Sequence, residues 1–276
     1  MSEITPAVVL RGARELAASD PVMARLIELA GPCTWEPRVE LAPFETLARA
    51  IAHQQLNGTA AERIFARFKA LFAPAPFPEP AVLASASDEA LRATGLSYAK
   101  IRALRDLADK VASGVVPTTE QLHALESEAI IERITQVRGI GRWTVEMLLM
   151  FQLGRLDVLP VDDFGVCNGF RLVYGLKGMP RPRALAEFGA RWAPHRSLAA
   201  WYLWRAVDLA RAKKLPRAGR APRVAIRLPR AQPAAKKTKR SAKRKVAARK
   251  PARNTRALKV KSRRTRVKAP PPARAM

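Results

Sequence analysis

The chain has 276 residues and a formal net charge of +27, with 50 Lys and Arg against 23 Asp and Glu. No apolar run approaches the ~18 residues that a membrane-spanning helix needs, which excludes a membrane span. Two cysteines exclude a disulfide framework and a four-cysteine iron–sulfur cluster, and they imply a reducing compartment.

Apolar residues recur at helical spacing along almost the whole body of the chain. Helices are predicted at 21–30, 44–52, 59–72, from Ser87 onward, and at 97–111, 127–137, 142–151, 163–174, 183–192 and 197–210. A Pro-rich joint at 73–80 separates two groups of helices. Since no alternating strand pattern stands out, we expect an all-α fold of two helical lobes within residues 1–211.

The excess positive charge lies at the C-terminal end. Residues 211–276 hold 26 Lys and Arg and no acidic residue, which leaves 24 basic and 23 acidic residues in the nearly neutral body. Few large apolar residues and mutual repulsion predict that the tail at 212–276 is disordered. Such a tail binds DNA phosphates without sequence preference through counterion release, or it only keeps the protein soluble.

Residues 128–151 predict a helix, a Gly-x-Gly hairpin and a second helix. Gly139 and Gly141 allow a sharp turn and a close approach to another molecule, and the amides that open the next helix suit a phosphate. Arg138 and Arg142 flank the turn. The alternative is purely structural, with Gly139 as a helix C-cap and Gly141 as an ordinary turn residue.

The hairpin carries a longer motif, Gly-Ile-Gly-Arg-Trp-Thr at 139–144, and Leu-Pro-Val-Asp-Asp follows at 159–163. With Ala-Ile-Ala-His-Gln-Gln-Leu at 50–56, the motif resembles the helix-hairpin-helix DNA glycosylases, most closely the 3-methyladenine DNA glycosylase II group. The resemblance runs from about residue 20 to 210 and lacks the N-terminal β-domain of some members. It extends a DNA-binding role to Thr144.

This resemblance implies that the protein acts on double-stranded DNA. A damaged base is flipped out of the duplex and its N-glycosidic bond is cleaved. The resemblance implies no cofactor beyond a possible monovalent cation at the hairpin carbonyls, and it implies a monomer. The three histidines are scattered and form no metal-ligand set.

Asp163 aligns with the catalytic aspartate of that group. As the bond breaks, the sugar becomes positively charged, and a fixed carboxylate stabilises it and orients or deprotonates water. Asp162 competes for this role, and an aspartate at a helix start is more often an N-cap. On the resemblance we assign Asp162 the cap or an auxiliary role and Asp163 the chemistry.

Trp143 stands where related strand-cleaving glycosylases carry a lysine. Tryptophan forms no Schiff base, so the expected enzyme is monofunctional. Its indole face suits an electron-poor alkylated purine, with stacking and cation–π attraction of ~0.5–2 kcal/mol. Phe164 and Trp204 are expected to complete the pocket, whereas Tyr202 is expected to pack in the core. Met147 occupies a position where some members have a tyrosine.

The gap that a flipped base leaves is expected to be filled by Gln54, Gln55 or Leu56. The resemblance does not choose which of them intercalates, and a plain exposed helix end is the alternative. Lys100 and Arg102 are further candidates for phosphate contact, or are solvated charges.

Three functions remain open from the sequence: a glycosylase for alkylated bases, a non-catalytic helix-hairpin-helix DNA-binding protein with a histone-like tail, and a glycosylase for another lesion, such as a deaminated purine. Asp163 and the aromatic set argue against the second. Trp143 and the missing cluster cysteines disfavour oxidised lesions but not deaminated ones. A DNA substrate implies a bacterial cytoplasm or nucleoid, or a eukaryotic nucleus. The simple tail and the absence of transit features favour the bacterial cytoplasm, in association with the nucleoid.

Overall fold

Thirteen α-helices and one 3₁₀ turn build the described part of the chain, residues 4–37 and 42–216 of a computed structural model. The helices are α1 Pro6–Ser19, α2 Pro21–Ala30, α3 Pro43–His53, α4 Gly58–Ala70, α5 Pro80–Ser85, α6 Asp88–Ala93, α7 Tyr98–Ala112, α8 Thr119–Ala124, α9 Ser127–Ile134, α10 Arg142–Phe151, α11 Phe164–Val173, α12 Pro182–Gly189 and α13 Arg196–Arg211, with the 3₁₀ turn at Ala190–Trp192. These ranges contain no strand, and the all-α prediction is confirmed. The predicted disorder of the tail concerns residues that, from 217 onward, lie outside the described part.

Three helices were not predicted from the spacing of apolar residues. α5 and α8 have six residues each, too few for an apolar repeat to show. The buried stripe of α1 consists of Val9, Gly12, Ala13 and Leu16, and its two small residues weaken the pattern. The predicted helix starts near Ser87 and Ser97 are confirmed, since both side chains accept from the third following amide.

Nine of the described helices pack in two groups that share one hydrophobic core. α3 to α7 form one group centred on α7, and α1, α2 and α11 pack with α13 in the other. The joint at 73–80 connects α4 and α5 inside the first group, so the prediction that it separates the lobes is wrong. The N-terminal helices α1 and α2 instead pack against α13. This helix can contact neighbours on several sides, because its buried residues lie on several faces and include small alanines.

A buried carboxylate links the start of α2 to the end of α11 and to the 3₁₀ turn. Asp20 caps α2 through Oδ1, which accepts from the amides of Val22 and Met23. Its Oδ2 accepts from the Tyr174 hydroxyl at 2.7 Å and from Trp192 Nε1 at 3.1 Å. Full pairing offsets the cost of burying this group, and the N-terminal helices are thereby fixed against the C-terminal group.

The start of α13 also fixes the loop between α10 and α11. The Ser197 hydroxyl accepts from the Val158 amide at 2.9 Å and donates to the Arg155 carbonyl at 2.6 Å. Beside it, Arg196 forms a bidentate pair with Asp157, at 2.6 and 2.8 Å. These contacts hold the segment that leads into α11.

None of the described helices is long and apolar enough to cross a bilayer.

Candidate active site

Three N–H donors converge on the carboxylate of Asp163. Its Oδ1 accepts from the Val166 amide at 2.7 Å and from Trp204 Nε1 at 2.8 Å. Its Oδ2 accepts from Trp143 Nε1 at 2.8 Å. Asp163 therefore joins α11 to α10 and α13.

Asp163, not Asp162, is the N-cap of α11. The assignment of the cap to Asp162 is wrong, because α11 begins at Phe164 and only the residue directly before it has its side chain in reach of the free amides. Asp162 is exposed. The cap and the proposed catalytic carboxylate are thus the same group, placed at the positive end of a helix.

The hydrogen bonds leave Asp163 one opening. An ionised carboxylate offers about four lone-pair positions, and the three donors use both positions of Oδ1 and one of Oδ2. The remaining position of Oδ2 is available to a water or a sugar. Because the donors fix the carboxylate before any substrate arrives, it needs no reorganisation during a reaction.

Gly165 makes room for this arrangement. A Cβ at Gly165 would lie 2.7 Å from Trp204 Cδ1 and 3.1 Å from Asp163 Oδ1. A side chain there would push the indole of Trp204 away from the carboxylate. The requirement arises between helices, so the sequence did not reveal it.

Large apolar side chains lie near the carboxylate in addition to the two indoles that bind it. Trp143 is 48% exposed, and because its N–H is bound to Asp163, its ring faces are the part left for stacking. Phe164 is 73% exposed and follows Asp163 directly. Met147 is partly buried and packs against the core, one turn from Trp143.

Phe151 and Trp35 form an aromatic group with Trp204, and neither was predicted from the sequence. Phe151 stacks on Trp204 with ring centroids 5.7 Å apart. The buried Trp35 contacts Phe151 in a T-shaped arrangement, with ring centroids 6.5 Å apart. Phe151 lies eight residues after Trp143 on the same face of α10, a spacing that was legible in the sequence. Trp35 comes from a distant loop that carries no such signal. Tyr202 is buried and donates to the Gly31 carbonyl, which confirms its packing role.

The hairpin between α9 and α10 depends on one of its two glycines. Gly139 has φ +78°, a left-handed conformation that favours glycine. Gly141 has φ −96°, so the expectation that it too enables the sharp turn is wrong. A Cβ at Gly141 would meet nothing within 4 Å, and no side chain caps the start of α10. The first amides of α10 and the open surface at Gly141 suit an approaching phosphate.

The end of α3 docks onto this hairpin. Gln54 Nε2 donates to the Gly139 carbonyl at 2.8 Å, which brings together two motifs that lie far apart in sequence. The next residue, Gln55, has φ +59° and is exposed, and Leu56 is 40% exposed. Lys100 Nζ donates to the Ala52 carbonyl at 2.7 Å, so in the free protein it holds α3 instead of facing solvent, and partial burial lowers its pKa.

Arg142, the first residue of α10, is held by two carboxylates. Its Nε donates to Glu146 at 3.0 Å and its Nη1 donates to Glu128 at 3.0 Å, with a second bond from Nη2 to Glu128. Arg142 was predicted to contact DNA, and in the free protein its guanidinium is already engaged. Arg138 is exposed, and its amide donates to Asp106 Oδ2 at 2.6 Å. Thr144 lies one turn into α10 and is partly buried.

Glu146 and Glu128 differ in their surroundings, although both bind the same guanidinium. Burial, with smaller contributions from the charges of Asp162 and Glu128, raises the pKa of Glu146 to about 7 against the opposing hydrogen bond and charge of Arg142. The hydrogen bond from Arg142 lowers the pKa of the exposed Glu128.

Within 4–37 and 42–216, no cluster of three or more His, Cys, Asp and Glu side chains has the geometry of a metal site.

Asp163, held by two indole N–H groups, lies in a chain whose family is shown by its sequence: more than half of it matches the model of one base excision repair superfamily, and the chain belongs to that superfamily. Residues 48–195 match the model of the HhH-GPD superfamily of base excision DNA repair proteins. This region contains the docked end of α3, the hairpin and Asp163.

Individual relatives are more specific. The chain is 41% identical to DNA-3-methyladenine glycosylase 1 of Schizosaccharomyces pombe over 198 residues, which cover 71% of this chain and 86% of that protein. The solved structure of the fission yeast 3-methyladenine DNA glycosylase Mag1 with abasic DNA matches at 40% identity and a TM-score of 0.64, covering 72% of this chain and 98% of that one. The structure of a DNA-3-methyladenine glycosidase from Bacillus halodurans matches at 35% identity and a TM-score of 0.67, covering 73% and 91%.

Proposed function

We propose that this protein is a monofunctional DNA glycosylase that flips alkylated bases of the 3-methyladenine type out of duplex DNA and hydrolyses their N-glycosidic bonds. The observation that carries the proposal is the carboxylate of Asp163, fixed between the indole N–H groups of Trp143 and Trp204. Membership of a base excision repair family and the names of the relatives support it.

The chemistry follows from the open position on Asp163 Oδ2. When the bond between C1′ and the base nitrogen breaks, the base keeps the electron pair and the sugar carries positive charge. An alkylated purine that is already cationic leaves as a neutral base, so it needs little help from a general acid. The carboxylate stabilises the sugar cation and orients a water that adds to C1′, and it accepts the proton of that water. Trp143 offers no amine for a lyase step.

Base flipping needs a side chain that fills the vacated space in the duplex. We assign this role to Gln55. Gln54 is engaged with the hairpin, whereas Gln55 is exposed and takes a left-handed conformation at the end of α3. The hairpin amides and Gly141 then hold a backbone phosphate on one side of the lesion.

Three finer assignments belong to the same proposal. A monovalent cation binds hairpin carbonyls; Gly139 O, which accepts from Gln54, keeps one of its two lone pairs for such an ion. The protein acts as a monomer in the bacterial cytoplasm, where its DNA substrate is found. The Lys- and Arg-rich tail adds non-specific affinity, because the body carries almost no net charge of its own.

The decisive experiment incubates the protein with methylated duplex DNA and, separately, with deaminated duplex DNA, measures binding to each, and identifies the free bases released by chromatography. We expect 3-methyladenine to appear without strand cleavage. Release of hypoxanthine alone, from deaminated DNA, would replace the alkylated substrate with a deaminated purine. Binding without release of any base would leave a non-catalytic DNA-binding module.

A further inference from the structure

The charges at the start of the hairpin's second helix do not balance. One guanidinium, Arg142, is bound by two carboxylates, so the fully ionised cluster of Arg142, Glu128 and Glu146 carries one net negative charge. Asp162 lies close enough to add to the negative potential at Glu146. A surface built to receive a phosphate would be expected to carry positive charge.

The two carboxylates are not equivalent in position. Glu128, on α9, has a side chain that is 67% exposed, whereas the side chain of Glu146, on α10, is only 5% exposed. Water solvates Glu128 whether or not Arg142 stays, but the charge of Glu146 has few partners besides the guanidinium. The ionised form of Glu146 is therefore costly, and it binds Arg142 strongly when present.

We propose that Glu146 is a positioning residue for DNA binding: as an anion it competes with a DNA phosphate for the charge of Arg142, and when it takes up a proton Glu128 alone remains as a partner of the guanidinium. This inference rests on the proposed role of the hairpin in holding the DNA backbone. Glu146 touches neither substrate nor reacting atoms, and it acts through the guanidinium.

The change of state falls near neutral pH. Burial raises the pKa of Glu146 to about 7, while the pKa of Glu128 is lowered by its bond to Arg142, so only Glu146 changes charge between pH 6 and 8 within the cluster. Lowering the pH through this interval removes the net negative charge. One unit charge about 7 Å from a phosphate, at an effective dielectric constant between about 40 and 80, corresponds to an affinity change of about three- to eightfold.

The test measures the affinity of the full chain for a duplex with a stable abasic-site analogue, between pH 5.5 and 8.5 at constant ionic strength. Wild-type affinity is expected to fall about three- to eightfold as pH rises through 7. Glu146→Gln keeps an oxygen for Arg142 Nε but cannot ionise, so its affinity should stay high and lose this pH dependence. At pH 6 the slope of log K against log salt should also be steeper than at pH 8 by about 0.9, the contribution of one phosphate.

Glu128→Gln is the matched control, since it removes the same charge from the same guanidinium. It should retain the pH dependence, with its midpoint moved to lower pH because Glu128 contributes to raising the pKa of Glu146. His53, near the docked end of α3, has a pKa lowered by burial and by Arg49 and Lys100, against the charge of Glu62. Its titration is common to all variants, so the difference between variants isolates Glu146.

Two outcomes would overturn the inference: an unchanged pH profile in Glu146→Gln, or its loss in Glu128→Gln. If Glu146→Gln does not fold, Arg142→Gln serves instead: it removes the guanidinium that lowers the pKa of Glu146, so the midpoint of any remaining pH dependence should move above 7, and an unmoved midpoint would overturn the inference. The abasic analogue cannot be processed, so this result is independent of base release. A protein that releases no base can still show the pH profile, and an active glycosylase can lack it.

Discussion

Replacement of Asp163 by asparagine removes the negative charge of the side chain and keeps most of its hydrogen bonds. The amide oxygen can occupy the place of Oδ1 and keep the bonds from Val166 and Trp204. The amide nitrogen then faces Trp143 Nε1, which now lies 2.8 Å from the other oxygen, and two donors meet. Asp163→Asn thus retains the N-cap and the hydrogen bond from Trp204. It loses the hydrogen bond from Trp143 and the negative charge.

The two consequences differ in size. Loss of one charge-assisted hydrogen bond costs about 1.5–3 kcal/mol of stability, and the cap is kept because asparagine is about as good an N-cap as aspartate. A domain stable by about 5–15 kcal/mol survives this. Loss of a preorganised charge beside the developing sugar cation costs about 3–4 kcal/mol of activation free energy, or a rate lower by about 10²–10³-fold.

The assay is single-turnover release of 3-methyladenine, with affinity for an abasic-analogue duplex measured in parallel. Asp163→Asn should bind about as tightly as the wild type and release base at least about a hundredfold more slowly. Asp162→Asn is the control, because Asp162 is exposed and does not cap α11. Release by Asp163→Asn within about tenfold of wild type would refute the catalytic assignment, and so would an equal loss in Asp162→Asn.

Gly165→Ala should slow base release without weakening DNA binding, because its Cβ displaces Trp204 from the carboxylate; normal release would show that this brace is dispensable. Gln55→Ala should weaken binding to the abasic-analogue duplex and slow excision, while Leu56→Ala does less; the reverse order would make Leu56 the intercalating residue. Deleting the chain after Pro216 keeps Leu215, which packs on the core. It should leave turnover on a short lesion duplex largely intact but weaken binding and flatten its salt dependence; an unchanged salt slope would exclude a DNA-binding role for the tail.

Much of the local structure was legible in the sequence. Ten of the thirteen helices, the hairpin and the absence of strands in the described ranges follow from apolar spacing and cap residues, which act over three or four positions. The cap of α11 was misassigned by one residue because two adjacent aspartates satisfy the same pattern, and only the first helical residue distinguishes them. Phe151 was missed although its spacing on α10 was visible, because its partner Trp204 was not known to lie beside it.

The sequence alone determined the all-α class, the glycine that the hairpin needs and the indole in place of a reactive amine at Trp143. These are properties of a residue and its near neighbours. Tertiary structure decided that Trp143 and Trp204 meet on Asp163, across 20 and 41 positions, and that Gln54 reaches Gly139 across 85. It also decided that Arg142 is held by Glu146 and Glu128. Such meetings depend on which helix faces pack together, and that is set by the combined shape of a core to which every helix contributes.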